Sequence, residues 1–180
     1  MVNVSETVVS NAMTLPPAPA DYESYMQRHE EARDLCLAGL DAFGREVLLV
    51  SDALAAWRAM QAAAKCEGVQ LLLLSGFRNV ARQAGILSRK LENGQELADI
   101  LRVNAYPGYS EHHTGRAVDI GSCSCAHFEE TFECTPEYAW LDKHAAEFGF
   151  FLSYPRENTC RIAFEPWHWC FVPECGELAG

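Results

Sequence analysis

Residues 107–121 read Pro107-Gly108-Tyr109-Ser110-Glu111-His112-His113-Thr114-Gly115-Arg116-Ala117-Val118-Asp119-Ile120-Gly121, and they hold the transition on which the fold turns. Pro107 lacks a backbone N–H and Gly108 admits left-handed backbone, so the pair ends the preceding pattern and opens a loop. From Arg116 to Ile120 polar and apolar residues alternate, the period of a half-buried strand, until Gly121 stops it. The expected element is a strand entered through a polar loop. Outward from it, Val69–Leu74 reads as a buried strand, Glu46–Val50 as a short one, and Phe150–Tyr154 and His168–Val172 as two strands close together near the end.

Helical patterns fill the intervals. Apolar residues at Tyr22, Tyr25, Met26, Ala32, Leu35, Cys36 and Leu40 fit a stripe that predicts a first helix over 21–39. Ser51 is the expected cap of a helix over 52–66 ended by Gly68, and Asn79 of a helix through Lys90 that ends near Gly94. A further helix is expected over 95–103, an irregular stretch over 122–134, and a helix ending at Gly149 with Thr135 as N-cap and Pro136 at its first position. Helices come mostly first and the last strands lie close together. The reading is therefore an α+β domain with a small central antiparallel sheet and N-terminal helices packed on one side. Residues 1–20, with Pro16, Pro17 and Pro19, read as a flexible arm and 21–180 as a single domain.

At 180 residues the chain can bury an ordinary core without disulfides or a structural metal. Its 14 basic against 25 acidic residues give a net charge of −11, which argues against nucleic acid or an anionic membrane surface as partner. Neither a basic-then-apolar leader nor a transmembrane-length apolar run is found. The expectation is a cytoplasmic protein as written, or a periplasmic or extracellular one if an export signal is missing from the sequence. A monomer is expected. Of eight cysteines, Cys36 and Cys66 lie in apolar helical patterns and read as core residues. Cys123, Cys125, His127 and Cys134 form a tighter group, a candidate second zinc site with loop disulfides or free thiols as alternatives.

Chemistry concentrates in two segments, Ser110–Asp119 and Glu165-Pro166-Trp167-His168. A catalytic zinc needs about three N or O ligands and an open position, and two histidines with one carboxylate meet that need. His112, Asp119 and His168 supply the set. Glu165 is then the spare carboxylate, and Pro166 restrains the backbone so that a turn brings it to the face of His168. As general base it would take a proton from the attacking water and deliver it to the leaving amine. Arg78, at a strand end, can clamp a carboxylate or stabilise an oxyanion. His113 points away from His112 if the chain is extended there, which suggests substrate contact or support of a ligand rather than ligation. Trp167 is placed to wall a pocket. His29, His127 and His144 read as surface hydrogen-bonding residues.

These residues resemble the zinc D-alanyl-D-alanine carboxypeptidases and dipeptidases typified by the vancomycin-resistance enzymes. The likeness rests on Ser75-Gly76-Phe77-Arg78, on Pro107 to Ile120, on Phe148-Gly149-Phe150-Phe151-Leu152-Ser153-Tyr154-Pro155 and on Glu165-Pro166-Trp167-His168, covering about 69–172. It implies one catalytic Zn2+ on His112, Asp119 and His168, Glu165 as base, Arg78 at the substrate or transition state, and Gln83, Tyr109 and Ser110 near the substrate. It also implies the fold shared with hedgehog signalling domains and some phage endolysins. The implied reaction removes a terminal D-alanine from peptidoglycan stem peptides or precursors ending in D-Ala-D-Ala. Family members commonly carry other residues at His113, Ser153 and Cys170, with arginine at the last two. Competing readings are a D-Ala-D-Ala dipeptidase, an endolysin-like L,D-peptidase and a non-catalytic zinc-stabilised binding module; the last would lack the base, which Glu165 supplies.

Overall fold

The computed structural model describes residues 15–173. Strands β1 (Leu35–Leu40) and β2 (Glu46–Val50) pair antiparallel as a hairpin. Its turn is fixed by Asp41, whose carboxylate accepts from the Phe43 and Arg45 backbone N–H groups at 2.8 and 2.9 Å. Helix α1 (Ser51–Cys66) follows directly. Then come β3 (Leu72–Ser75), α2 (Val80–Glu92), the single turn α3 (Leu97–Ile100), β4 (Ala117–Gly121), α4 (Pro136–His144), β5 (Phe150–Leu152) and β6 (His168–Phe171). The last four strands form one antiparallel sheet in the order β3-β4-β6-β5, so the strand that closes the chain lies beside the strand of the opening motif. The α+β reading holds.

Alternation along β4 decides what each sheet face does. Val118 and Ile120 enter the main core with Trp57, Met60, Leu141, Phe150 and Trp169, and α1 contributes Ala53, Leu54, Trp57, Met60 and Ala64 at the three- and four-residue spacing of one helix face. Asp119, between Val118 and Ile120, faces the other way. Its direct cross-strand partner is His168 in β6, and Ser75 stands opposite it in β3. A second cluster of Tyr22, Met26, Leu87, Ile100, Tyr109 and Tyr154 forms separately. Asn79 caps α2 by accepting from Arg82 N–H at 2.8 Å, and Thr135 caps α4 with Pro136 in the first turn, both as expected from sequence.

Several expectations are corrected. In place of a helix over 21–39 there is one 3-10 turn, Tyr22–Ser24, an extended segment and β1. The extended segment is claimed by the polar loop: His29 N–H donates to Gly108 O and Ala32 N–H to His113 O, each at 2.8 Å, and Leu35 to Leu40 find partners on β2. The apolar stripe was thus one turn's worth, and long-range pairing took the rest. Cys36, now on β1, and Cys66, the last residue of α1, are exposed rather than core residues. Ser51 does not cap α1; Val50 holds that position, because the helix begins where β2 stops and Val50 N–H is already bonded to Gly115 O. The 95–103 helix contracts to α3, and the strand expected from Val69 starts at Leu72. Of the expected arm, residues 1–14 lie outside the described residues; Leu15 and Ala18 pack against the second cluster, and Pro16 O accepts from the Tyr106 hydroxyl at 3.0 Å. No helix among the described residues is long and apolar enough to cross a membrane.

Candidate active site

The site is built where the polar loop enters β4. Residues Glu111–Thr114 form a 3-10 turn that Gly115 closes in the left-handed region at φ 66°. A Cβ there would lie 2.9 Å from Leu35 Cδ2, so the hairpin and the turn approach as closely as they do only around glycine. The turn buries His112. Its Nδ1–H donates to Gly76 O at 2.8 Å, which leaves the Nε2 lone pair facing Asp119 Oδ2 at 3.2 Å. From β6, His168 brings Nδ1 to 3.1 Å from Asp119 Oδ1, while its Nε2 meets Glu111 Oε2 at 2.9 Å. One donor atom from each of His112, Asp119 and His168 lies within 4.8 Å of the others, and all three residues are buried. Nothing of the kind forms at Cys123, Cys125, His127 and Cys134: among the described residues this is the only such group. The seven described cysteines are unbridged, and Cys175 lies outside the described residues.

The electrostatics follow from this geometry. Burial disfavours the charged form of Asp119, yet the two imidazoles outweigh it and hold the carboxyl well below the usual carboxylate range. Burial likewise opposes an imidazolium at His168, but Asp119 and Glu111 push its pKa up to about 10. Glu165 behaves oppositely. It has no comparable partner, and burial raises it to about 7, with His168 and Arg78 offsetting part of the cost. A carboxyl poised near neutrality in a cleft is suited to exchanging a proton. Its position comes from the Glu165–His168 turn, in which His168 N–H donates to Glu165 O at 3.1 Å, as Pro166 suggested.

A cleft of about 510 Å³ opens over these groups, with Arg78, Ser110, Glu165 and Trp167 on its walls. Arg78 is half-buried: its guanidinium donates to Ser110 Oγ at 3.4 Å, and its buried Nε is without a partner. Three residues expected at the substrate stand elsewhere. His113 is fully buried with both ring nitrogens used by backbone: it accepts from Gly108 N–H at 3.1 Å, and its Nδ1–H donates to Arg78 O. It braces the loop against the strand end that carries Arg78. Tyr109 donates its hydroxyl to Glu23 Oε1 at 2.7 Å and packs on Tyr22. Gln83 is buried, donating to Ala105 O, and is not on the cleft wall. Two residues were missed by the sequence reading: Glu111, on the far side of His168, and Tyr154, whose ring lies 4.9 Å from that of His168 and lines the cleft. An acid beside a histidine pair was a usable signal for the first. Tyr154 stood in a segment that carries the family resemblance, with no role assigned to it.

Comparisons with known proteins identify the family. A family model described as VanY, D-alanyl-D-alanine carboxypeptidase, matches residues 46–174. YodJ of Bacillus subtilis (strain 168) is 37% identical over 121 residues, which are 65% of this chain but 44% of YodJ, so the chain spans less than half the length of that relative. Among solved structures, the LD-carboxypeptidase LdcB superposes with a TM-score of 0.73 at 30% identity, over 82% of this chain and 72% of that one. A vancomycin-resistance D,D-pentapeptidase VanY in complex with Zn(II) gives 0.60 at 27% identity, over 82% and 81%. With the matched region taking in β2, both motif segments and all four strands of the larger sheet, the chain belongs to the VanY D-alanyl-D-alanine carboxypeptidase family.

Proposed function

We propose that the chain is a zinc-dependent D-alanyl-D-alanine carboxypeptidase that releases the terminal D-alanine of peptidoglycan stem peptides or precursors. The observation that carries it is the convergence of His112 Nε2, an Asp119 oxygen and His168 Nδ1 at the floor of a cleft whose wall holds Glu165 and Arg78. The donor set fits the metal: two imidazole nitrogens and one carboxylate are a catalytic-zinc combination, and the outer nitrogen of each imidazole is already taken by Gly76 O or Glu111. Bound there, zinc would act as a Lewis acid that makes water nucleophilic near neutral pH.

The chain's own groups do the rest. Glu165 accepts the proton of the attacking water on a carboxylate oxygen and passes it to the departing D-alanine amine. Arg78, held by its backbone bond to His112 O at 3.1 Å, presents unpaired donors to the substrate carboxylate or the developing oxyanion. Ser110 orients that guanidinium, and Trp167 with Phe128, ring centroids 6.2 Å apart, forms an apolar wall that excludes water. Superposition on an LD-carboxypeptidase supports a second reading, cleavage after an L-configured residue.

The test is a mass-spectrometric assay of zinc-quantified protein on a pentapeptide ending in D-Ala-D-Ala, a tetrapeptide ending in L-Xaa-D-Ala, and free D-Ala-D-Ala. Chelator-sensitive release from the pentapeptide supports the proposal, release from the tetrapeptide alone transfers it to the second reading, and zinc uptake without release from either overturns both. Glu165→Ala is expected to keep zinc while kcat falls roughly 100- to 10,000-fold. Unchanged turnover would remove Glu165 from its role.

A further inference from the structure

His168 is held from two sides. Asp119 faces its Nδ1 at 3.1 Å and Glu111 faces its Nε2 at 2.9 Å, so the ring is pinned between a buried carboxylate on β4 and a half-buried one on the 3-10 turn. These two contacts are not equivalent. Asp119 also faces His112, so its side of the ring is where three donors meet, whereas Glu111 lies outside that convergence. Among the described residues His168 is the only ion-pair partner of Glu111, whose other neighbours include the neutral hydroxyl of Ser153 and thiol of Cys170. The carboxylate hydrogen-bonds one imidazole, that of His168, while His29 acts on it only through its field.

We infer that Glu111 is a positioning residue for the metal centre: it takes the Nε2–H of His168, fixing the tautomer that leaves the Nδ1 lone pair for the metal and lending the ring negative charge. The inference rests on the zinc reading above. Its chemistry is that of a carboxylate behind a ligating histidine, where the outer hydrogen bond sets ring orientation and ligand basicity. Gly76 O does the first of these for His112, but as a neutral acceptor it does less of the second. The two histidines are therefore built unequally, and His168 is the stronger donor of the pair.

The experiment compares the parent, Glu111→Gln and Glu111→Ala by zinc competition against a chromophoric chelator, and by the visible spectrum of the cobalt(II)-loaded forms. Zinc affinity is expected to fall roughly 10- to 100-fold in Glu111→Ala, with a smaller loss in Glu111→Gln, which keeps an acceptor but not the charge. The cobalt bands should shift in both. In the zinc-loaded parent, nitrogen-edited NMR should show a slowly exchanging Nε2–H proton on His168 that Glu111→Ala loses. If Glu111→Ala fails to fold, the near-isosteric Glu111→Gln carries the test through the same affinity and spectrum. Affinity within twofold of the parent and an unmoved cobalt spectrum would overturn the inference while leaving the zinc reading intact. A parent that takes up no zinc would overturn the reading beneath it.

Discussion

Gly76 ties the hairpin to His112 of the candidate site, and a single methyl group there should disturb both. It follows β3, and its carbonyl accepts the Nδ1–H of His112 at 2.8 Å. A Cβ at this position would stand 2.5 Å from Val47 Cγ1, 2.9 Å from Leu48 O and 3.1 Å from Leu49 Cδ2. Carbon atoms rest at about 3.5 to 4.0 Å, so Val47 must retreat by roughly 1 Å. It has nowhere to go, since Val47 is 5% exposed, and the Leu48 oxygen is backbone already bonded to Phe77 N–H at 2.9 Å. Over-packing of this kind costs about 1 to 3 kcal/mol. For a chain of this size that lowers Tm by about 2 to 12 °C. Because relief requires β2 and the 76–77 backbone to part, the carbonyl behind His112 moves as well, and zinc affinity should drop roughly tenfold or more. Gly85, inside α2 with nothing within 4 Å of a Cβ, is the control: alanine there should stabilise by about 0.5 to 1 kcal/mol through helix propensity. Urea denaturation and zinc competition on Gly76→Ala, Gly85→Ala and the parent decide the matter. If Gly76→Ala stayed within about 0.5 kcal/mol of the parent, the range typical of ordinary surface changes, close approach would not be what the glycine provides.

Other outcomes follow from the same structure. In chelator-treated protein, His168 keeps its proton up to about 10 when folded against 6.5 when unfolded, and Glu165 up to about 7 against 4.5. Both raised values mean that the folded state binds more protons, so stability should fall as pH rises through these windows, with the His168 part lost between about 6.5 and 10. Glu111, held down to about 2 by His168 despite burial, and Asp119, held lower still, give the opposite limb below the ordinary carboxyl range. Urea midpoints should therefore decline from pH 6.5 to 9.5, less steeply in His168→Gln; a midpoint that climbs over that interval contradicts the assignment. Thr135→Ala should cost about 0.5 to 2 kcal/mol, because Thr135 Oγ1 both accepts from Tyr138 N–H at 3.2 Å and donates to Phe132 O at 2.8 Å. Thermal unfolding measures it, and a loss below 0.5 kcal/mol would mean that water replaces the cap without cost.

The sequence by itself determined what is local or carried by residue type. The capping of α2 by Asn79 and of α4 by Thr135 and Pro136 was legible because a cap is a contact across three residues. So was the strand Ala117–Gly121, whose alternation separates Val118 and Ile120 from Asp119, and so was the grouping of His112, Asp119 and His168, whose donor atoms the fold brings within 4.8 Å of one another. What only the tertiary structure decided is which backbone groups found distant partners. Residues 27–40 carry enough helical spacing to suggest a helix, but Gly108 O, His113 O and the whole of β2 offered them hydrogen bonds, and long-range pairing prevailed over a weak local preference. The same holds at the site. Alternation placed His113 opposite His112, but not the two backbone groups that occupy both its nitrogens and keep it from the cleft. Glu111 gained its role only when the 3-10 turn carried it across to His168, a residue 57 positions away. Ligand identity is a property of side-chain chemistry and can be read in one dimension; the direction of a lone pair depends on what stands behind the ring, and that is settled by packing.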